Sequence, residues 1–199
     1  MRPLRSLYAS GKPIISFELF PPKTEAGMAN LLEHLQELAN CKPAYMTCTY
    51  GAGGSTRDRT LLALAEIHKR YPHIPIASHL SCIGSSRDEL REYINSAIAI
   101  GVDRIVALRG DIPQGQDEFQ PAPDGLRYAN ELVALLQEEY PSLGVIVAGY
   151  PETHPEAPSS AADLENLKRK VDAGADVVVT QMFFENTDYF RFRDRCTDM

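Results

Sequence analysis

Six polar or ionisable side chains of this 199-residue chain stand at or just past the ends of apolar runs: Glu18, Thr49, His79, Asp111, Tyr150 and Gln181. Glu18 is set among Ile15, Phe17, Leu19 and Phe20 and is followed by Pro21-Pro22. Partial desolvation would raise its carboxyl pKa toward the range of a general acid, whereas a partner arginine would make it structural; the local sequence leaves both open. In Leu108-Arg-Gly-Asp111 a cation and a carboxylate flank a glycine, an arrangement suited to holding a polar ring or a phosphate close to backbone, with a solvated ion pair as the alternative. The glycine-rich segment Gly51-Ala-Gly-Gly-Ser-Thr56 permits close approach of backbone to a ligand, or forms a plain turn, and matches neither GxGxxG nor the P-loop. Asp163, Asn166 and Lys170 recur at i, i+3 and i+7 with Arg169 nearby, behind the loop Gly149-Tyr-Pro-Glu-Thr-His-Pro-Glu-Ala157. That face, with His154 in the preceding loop, reads as a cofactor wall.

Positioning these groups falls to an alternation of short β-rich runs and longer stretches of helical period, the pattern of a parallel sheet with crossover helices. The expected strands are Ile14 to Phe20, Ala44 to Tyr50, Ile74 to Ser81, Arg104 to Arg109, Gly144 to Tyr150 and Ala175 to Gln181. Met28, Leu31, Leu32, Leu35 and Leu38 form the apolar stripe of a first helix. Ser86-Arg-Asp-Glu89 fits a capping box ahead of Leu90, Tyr93, Ile94, Ala97 and Ile98, with Gly101 as a left-handed stop. A fourth helix is expected over Leu126 to Tyr140 before Pro141, a fifth from about Ala161 to Ala173 before Gly174, and a sixth from near Asn186. In the first strand Ser16 and Glu18 share one face and Ile15, Phe17 and Leu19 the other, which aims Glu18 inward if the apolar face lies under helices. Polar groups at the ends of successive strands favour a (β/α) barrel over an open doubly wound sheet, because barrel strand ends converge on one mouth. The expectation is a (β/α)8 TIM barrel with about six of its eight β/α units present, forming one domain over residues 1–199.

Composition narrows the partners. Twenty Lys and Arg against 27 Asp and Glu give a net charge of −7, with no dense basic cluster to gather a phosphate backbone or an anionic membrane. No apolar run approaches the roughly 20 residues of a membrane span, and the start lacks a signal-peptide core, so a cytoplasmic protein is expected. Cys41, Cys48, Cys82 and Cys196 show no zinc spacing and read as reduced thiols, Cys48 and Cys82 as small buried hydrophobes; no metal site is expected.

Seven segments, in order, carry a resemblance: Ser16-Phe-Glu-Leu-Phe-Pro-Pro22, Thr49-Tyr-Gly-Ala52, His79-Leu-Ser-Cys82, Leu108-Arg-Gly-Asp111, Gly149-Tyr-Pro-Glu-Thr-His-Pro-Glu-Ala157, Asp163-Leu-Glu-Asn-Leu-Lys-Arg-Lys170 and Thr180-Gln-Met-Phe-Phe184. Together they resemble the methylenetetrahydrofolate reductase family of flavoproteins. The resemblance implies a barrel with FAD at its mouth, reduced by NADH or NADPH, passing hydride to 5,10-methylenetetrahydrofolate to give 5-methyltetrahydrofolate. By motif position it makes Glu18 the general acid that helps open the imidazolidine ring. It puts Asp111 between flavin and pterin, Gln181 against substrate or nicotinamide, and Thr49 near the nucleotide. It gives FAD-binding positions to Tyr50, His79, Arg109, Gly110, Tyr128, Ala129, Tyr150, His154, Ala157, Asp163, Asn166, Arg169 and Lys170. A homo-oligomer is compatible with it. The chain ends at Met199 with about six strands where closure needs eight, so a fragment that requires a complementing segment is the alternative. An unrelated barrel aldolase would need an inward strand-end lysine, while Lys12 and Lys23 only flank the first strand. A metal hydrolase could use Glu18, His79 and Asp111 as ligands.

Overall fold

A computed structural model describes residues 4–9, 11–50, 57–111 and 121–199. Strands β1 (Ser16–Leu19), β2 (Tyr45–Cys48), β3 (Ile76–Ser81), β4 (Val102–Leu108), β5 (Gly144–Gly149) and β6 (Val177–Thr180) alternate with helices α1 (Glu25–Asn40), α2 (Arg57–Arg70), α3 (Arg87–Ala99), α4 (Ala129–Glu139), α5 (Ser160–Asp172) and α6 (Asn186–Thr197). The six strands are all parallel and lie side by side in chain order, β1 at one edge and β6 at the other. The sheet is curled, since residues of every strand from Ser16 and Glu18 to Val179 and Thr180 line one cavity. This is an α/β half-barrel, the partial TIM barrel that the alternation predicts.

Period-two alternation divides the buried residues into two layers. Met46, Ile76, Leu80, Ile105, Val145 and Val147 face the helices, where they pack with Leu35, Leu64, Ile94 and Leu132. Tyr45, Ala77, Val106 and Ile146 form the inner layer. The chain's first described turn, a 3₁₀ helix over Leu4–Leu7, closes the floor of this inner layer. Leu4 is buried against Gly144, and Arg5 Nε donates to Asp176 Oδ1 at 2.8 Å. Beside it Arg104, almost fully buried, lies over the Tyr45 ring, whose hydroxyl meets that of Tyr8 at 3.1 Å.

The capping box of α3 forms as expected: Glu89 N–H donates to Ser86 Oγ at 3.2 Å and Ser86 N–H to Glu89 Oε2 at 2.8 Å. Gly101 has φ +94, and a side chain there would meet the His68 ring, so both conformation and space demand glycine. The fourth helix starts at Ala129, not Leu126. Tyr128 is extended, with φ −137 and no side-chain cap, and Arg127 N–H is satisfied by Glu131 Oε2 at 2.6 Å from inside the helix. Leu126 is instead buried in the core ahead of it. The strands are shorter than their apolar runs at most ends, because a ladder persists only where a neighbour is in register. The exception is β4, which begins two residues early at Val102, paired with Ile76 through a register shift between Ile76 and Ala77. Cys48 and Cys82 are buried, and burial pushes both thiols up to about 12. Among the described residues no helix is long and apolar enough to cross a membrane.

Candidate functional site

All strands point their C-terminal ends at one cavity of about 700 Å³, within the range of small-molecule and cofactor sites. Glu18, Tyr50, His79, Arg109, Gly110, Asp111, Ala129, Tyr150, His154, Lys170 and Gln181 all line it. Six other expected positions do not. Tyr128 is exposed as the N-cap of α4, and Asn166 and Arg169 lie on the exposed face of α5, where Arg169 Nη1 donates to Asn166 Oδ1 at 3.1 Å. Asp163 and Ala157 act on the loop behind the wall: Asp163 Oδ2 accepts from His154 N–H, and Ala157 N–H donates to His154 O, both at 2.9 Å. Thr49 ties β2 to β1 through its N–H, which donates to Leu19 O at 2.8 Å. The segment Gly51 to Thr56 lies outside the described residues.

Glu18 departs from both expectations for it. Its partner is His79, not an arginine, with Nε2 to Oε2 at 3.4 Å. The histidine beside it lowers its carboxyl pKa, and this outweighs the burial that would raise it. The carboxyl is half exposed toward the cavity. At that distance the contact is too long for a well-formed hydrogen bond, and among the described residues the buried His79 Nε2 has no other partner. Thr47 Oγ1, one strand in from Glu18 and level with it in register, is also buried and unpartnered. Two orphaned polar atoms beside one carboxylate fit a ligand that supplies donors and acceptors, since buried polar groups are otherwise satisfied.

The same cavity carries cations. Arg109, at the end of β4, does not form the ion pair with Asp111 that the sequence allowed; its Nη1 and Nη2 reach both carboxylate oxygens of Glu156 at 2.6 and 2.7 Å. Gly110 holds φ +95, and a Cβ there would collide with Ser81 Oγ and Ile83, so the turn between Arg109 and Asp111 is packed down onto β3. Ser81 Oγ donates to Arg109 O at 2.9 Å and fixes the same turn. Lys170 reaches in from α5, largely buried, with Nζ donating to Ala148 O at 2.5 Å. Burial pushes its pKa down, and the field of Asp163 only partly restores it. A buried ammonium with a carbonyl for its partner is suited to an anionic or electron-rich ligand. Tyr150 packs edge-on against His154 with ring centroids 4.6 Å apart. The donor set, the cations and the glycine turn thus fit a flavin with its phosphates. Among the described residues no group of His, Cys, Asp and Glu is assembled to hold a metal ion, so Glu18, His79 and Asp111 do not converge as ligands. Lys170 is the inward lysine that the strand-end reading overlooked, because it comes from a helix.

Ser16, Tyr45, Thr47, Ser81 and Met182 also line the cavity. The inward parity of Ser16 with Glu18 and of Ser81 with His79 carried that signal. Glu156 gave none, being one acid in a loop whose partner is 47 residues away.

A model of the family described as methylenetetrahydrofolate reductase matches residues 3–199. The 5,10-methylenetetrahydrofolate reductases of Salmonella typhimurium LT2 and Escherichia coli K12 are each 45% identical to the chain over 186 residues, covering 94% of it and 60% of their own length. Methylenetetrahydrofolate reductase (NADH) 1 of Arabidopsis thaliana is 37% identical over 206 residues, covering 97% of this chain and 34% of its own. The chain therefore spans about 60% of the length of these bacterial relatives. Two solved barrels share the fold alone. 3-Dehydroquinate dehydratase from Geobacillus kaustophilus superposes with TM-score 0.58 at 14% identity, over 92% of this chain and 67% of that one. A Schiff base forming fructose-1,6-bisphosphate aldolase superposes with TM-score 0.51 at 12% identity, over 82% and 58%.

Proposed function

The chain belongs to the methylenetetrahydrofolate reductase family, and from that premise we propose that it performs the flavin-dependent reduction of 5,10-methylenetetrahydrofolate to 5-methyltetrahydrofolate, with NADH or NADPH as donor. The observation that carries this reading is the cavity itself, which a Glu18–His79 pair lines together with Arg109 and Lys170. Residues 1–199 are read as one catalytic barrel domain that is short of its last strands. Arg109, Lys170, His154, Tyr150 and the Gly110 turn would hold FAD, with Tyr50, Ala129 and His79 along its edge. Tyr128, Ala157, Asp163, Asn166 and Arg169 would support the wall or meet the cofactor where it runs outward. Bound there, FAD supplies the hydride carrier between nicotinamide and folate.

The chain's own residues then have separate tasks. Glu18 gives a proton to the ring nitrogen that leaves carbon as the imidazolidine opens. In the ligand-free site His79 holds that carboxyl ionised, so the acid role requires a proton to be loaded onto the pair before ring opening. Filling the half-exposed side of Glu18 with substrate removes water and favours the neutral acid. Asp111 accepts from pterin N–H groups, Gln181 orients folate or nicotinamide, and Thr49 lies by the nucleotide.

A second reading rests on the open sheet edges. Phe20 is 75% exposed beyond β1, and Met182 and Phe184 are 69% and 83% exposed beyond β6. Apolar surface flanking two unpaired strand edges is what a further β/α segment would cover. On this reading the cavity is catalytic only with that segment in place.

The test is the visible spectrum of the purified soluble chain, then anaerobic addition of NADH and of NADPH, then of 5,10-methylenetetrahydrofolate. A flavin spectrum bleached by the nucleotide and restored by the folate is expected. A chain that takes up no flavin by itself and gains it when a relative's carboxy-terminal barrel segment is added would favour the second reading. A bound flavin that nucleotide reduces and folate never reoxidises would sink the first.

A further inference from the structure

Among the described residues Lys170 and Arg109 are the lysine and arginine that line the cavity; Lys170 donates to a carbonyl, while Arg109 has a partner at each of its three nitrogens. Its Nη1 and Nη2 hold both oxygens of Glu156, and its Nε donates to Gly110 O at 3.1 Å. Glu156 is fastened by its backbone, whose N–H donates to His154 Nδ1 at 3.1 Å. Its carboxylate is half exposed, so it can leave Arg109 and be rehydrated without moving the chain that carries it.

We propose that Glu156 is an internal anion seated on Arg109 in the ligand-free protein, and that a phosphate group of the incoming cofactor displaces it. The proposal rests on the flavin reading for the identity of that cofactor. A guanidinium fork accepts a carboxylate and a phosphate by the same paired N–H geometry, so the two compete for one seat. The pyrophosphate of FAD carries two negative charges against the carboxylate's one, and it prevails when the rest of the ligand is held by the cavity. The contact does two things. It keeps Arg109 extended along the cavity wall while no ligand is bound, and it sets a threshold that a ligand without an anionic group cannot cross at this position. It therefore biases the site toward phosphate-bearing flavins and against riboflavin. The exchange also frees Glu156 from the wall, next to the His154 and Ala157 backbone.

The test compares the wild-type chain with E156Q by isothermal titration with inorganic pyrophosphate, and by quenching of flavin fluorescence with FAD and with riboflavin. None of these readouts requires turnover. Glu156 is half exposed and outside the core, and a thermal melt checks that E156Q folds as the wild type does. Because the displaced ion pair is partly exposed, E156Q is expected to bind FAD and pyrophosphate about three- to fivefold more tightly and riboflavin unchanged. A gain for pyrophosphate in a chain that binds no flavin would support the seat and place the failure in flavin binding by the isolated chain instead. Unchanged or weaker binding of both anions by E156Q would overturn the proposal and make Glu156 a group that pre-orients Arg109 for its ligand. An equal gain for riboflavin would also overturn it, since the effect would then owe nothing to the phosphate.

Discussion

Replacing Gly110 by alanine tests whether the turn between Arg109 and Asp111 is held as tightly as its geometry requires. Two costs add. At φ +95 an L-residue is strained by about 1–2 kcal/mol. The new Cβ would also run into Ser81 Oγ and lie 2.5 Å from Ile83 Cγ2, and overpacking of this kind costs about 1–3 kcal/mol. G110A should therefore lose about 2–5 kcal/mol in urea unfolding followed by circular dichroism. Ser81→Ala separates the two parts. Alone it loses the hydrogen bond to Arg109 O, worth about 1 kcal/mol, yet in the double variant it also removes the worst collision. G110A/S81A should thus be more stable than the sum of the single losses predicts. Strict additivity, or a G110A loss below about 0.5 kcal/mol, would refute the claim that this turn is packed down onto β3.

Three further outcomes follow from the same geometry. His79→Gln should raise the titration of the Glu18 carboxyl toward its ordinary 4.5, followed by carbon-detected NMR. With His79 present the carboxylate's contribution to stability is complete above that ordinary value and is lost as pH falls through the lowered one; a titration that stays put or falls in the variant would contradict this. Lys170→Met should not destabilise the ligand-free protein at neutral pH by more than about 1 kcal/mol, since it removes a desolvated charge, but should weaken flavin binding. The wild type binds fewer protons at Lys170 than its unfolded chain does between the lowered pKa and 10.5, so its stability gains with pH across that window. Because Cys48 and Cys82 impose the same pH trend on both proteins, urea midpoints at pH 8 and 10 should shift in the wild type's favour relative to Lys170→Met as pH rises. Tyr93→Phe should cost about 1–2 kcal/mol because it strips the buried Ser78 Oγ of its 2.7 Å hydroxyl partner; a neutral substitution would mean that water replaces it.

Signals that act within a few residues were legible in the sequence. The capping box of α3 and the alternation of Ser16 and Glu18 depend on neighbours in the chain, so type and spacing sufficed. The start of α4 was not legible: its N-cap is Tyr128, which makes no cap hydrogen bond, and the donor before it is satisfied by Glu131 from the first turn. At the site, strand-end polarity picked out Glu18, His79 and Arg109, but not what each would touch. Whether Glu18 meets an arginine or a histidine is decided by which strands lie two places apart in the curled sheet. Thr47 is a β-branched residue in a strand and carries no signal of its own; only the curl of the sheet leaves its hydroxyl buried without a partner among the described residues. That Arg109 meets a carboxylate while Lys170 meets a carbonyl was not legible, because Glu156 and Ala148 lie 47 and 22 residues away from them in the chain.

Leu4 and Arg5 complete their docking only when β5 and the Asp176 that precedes β6 exist. Each strand from β2 onward pairs with the one made just before it, so the sheet can lengthen in step with synthesis, and contacts of short sequence separation form fastest. The amino-terminal turn is the exception, for Arg5 and Asp176 are 171 residues apart. That turn is thus seated late. Its docking reports that the approach to the sixth strand has been laid down, and until then Tyr45, Val106 and Ile146 remain open to water from below.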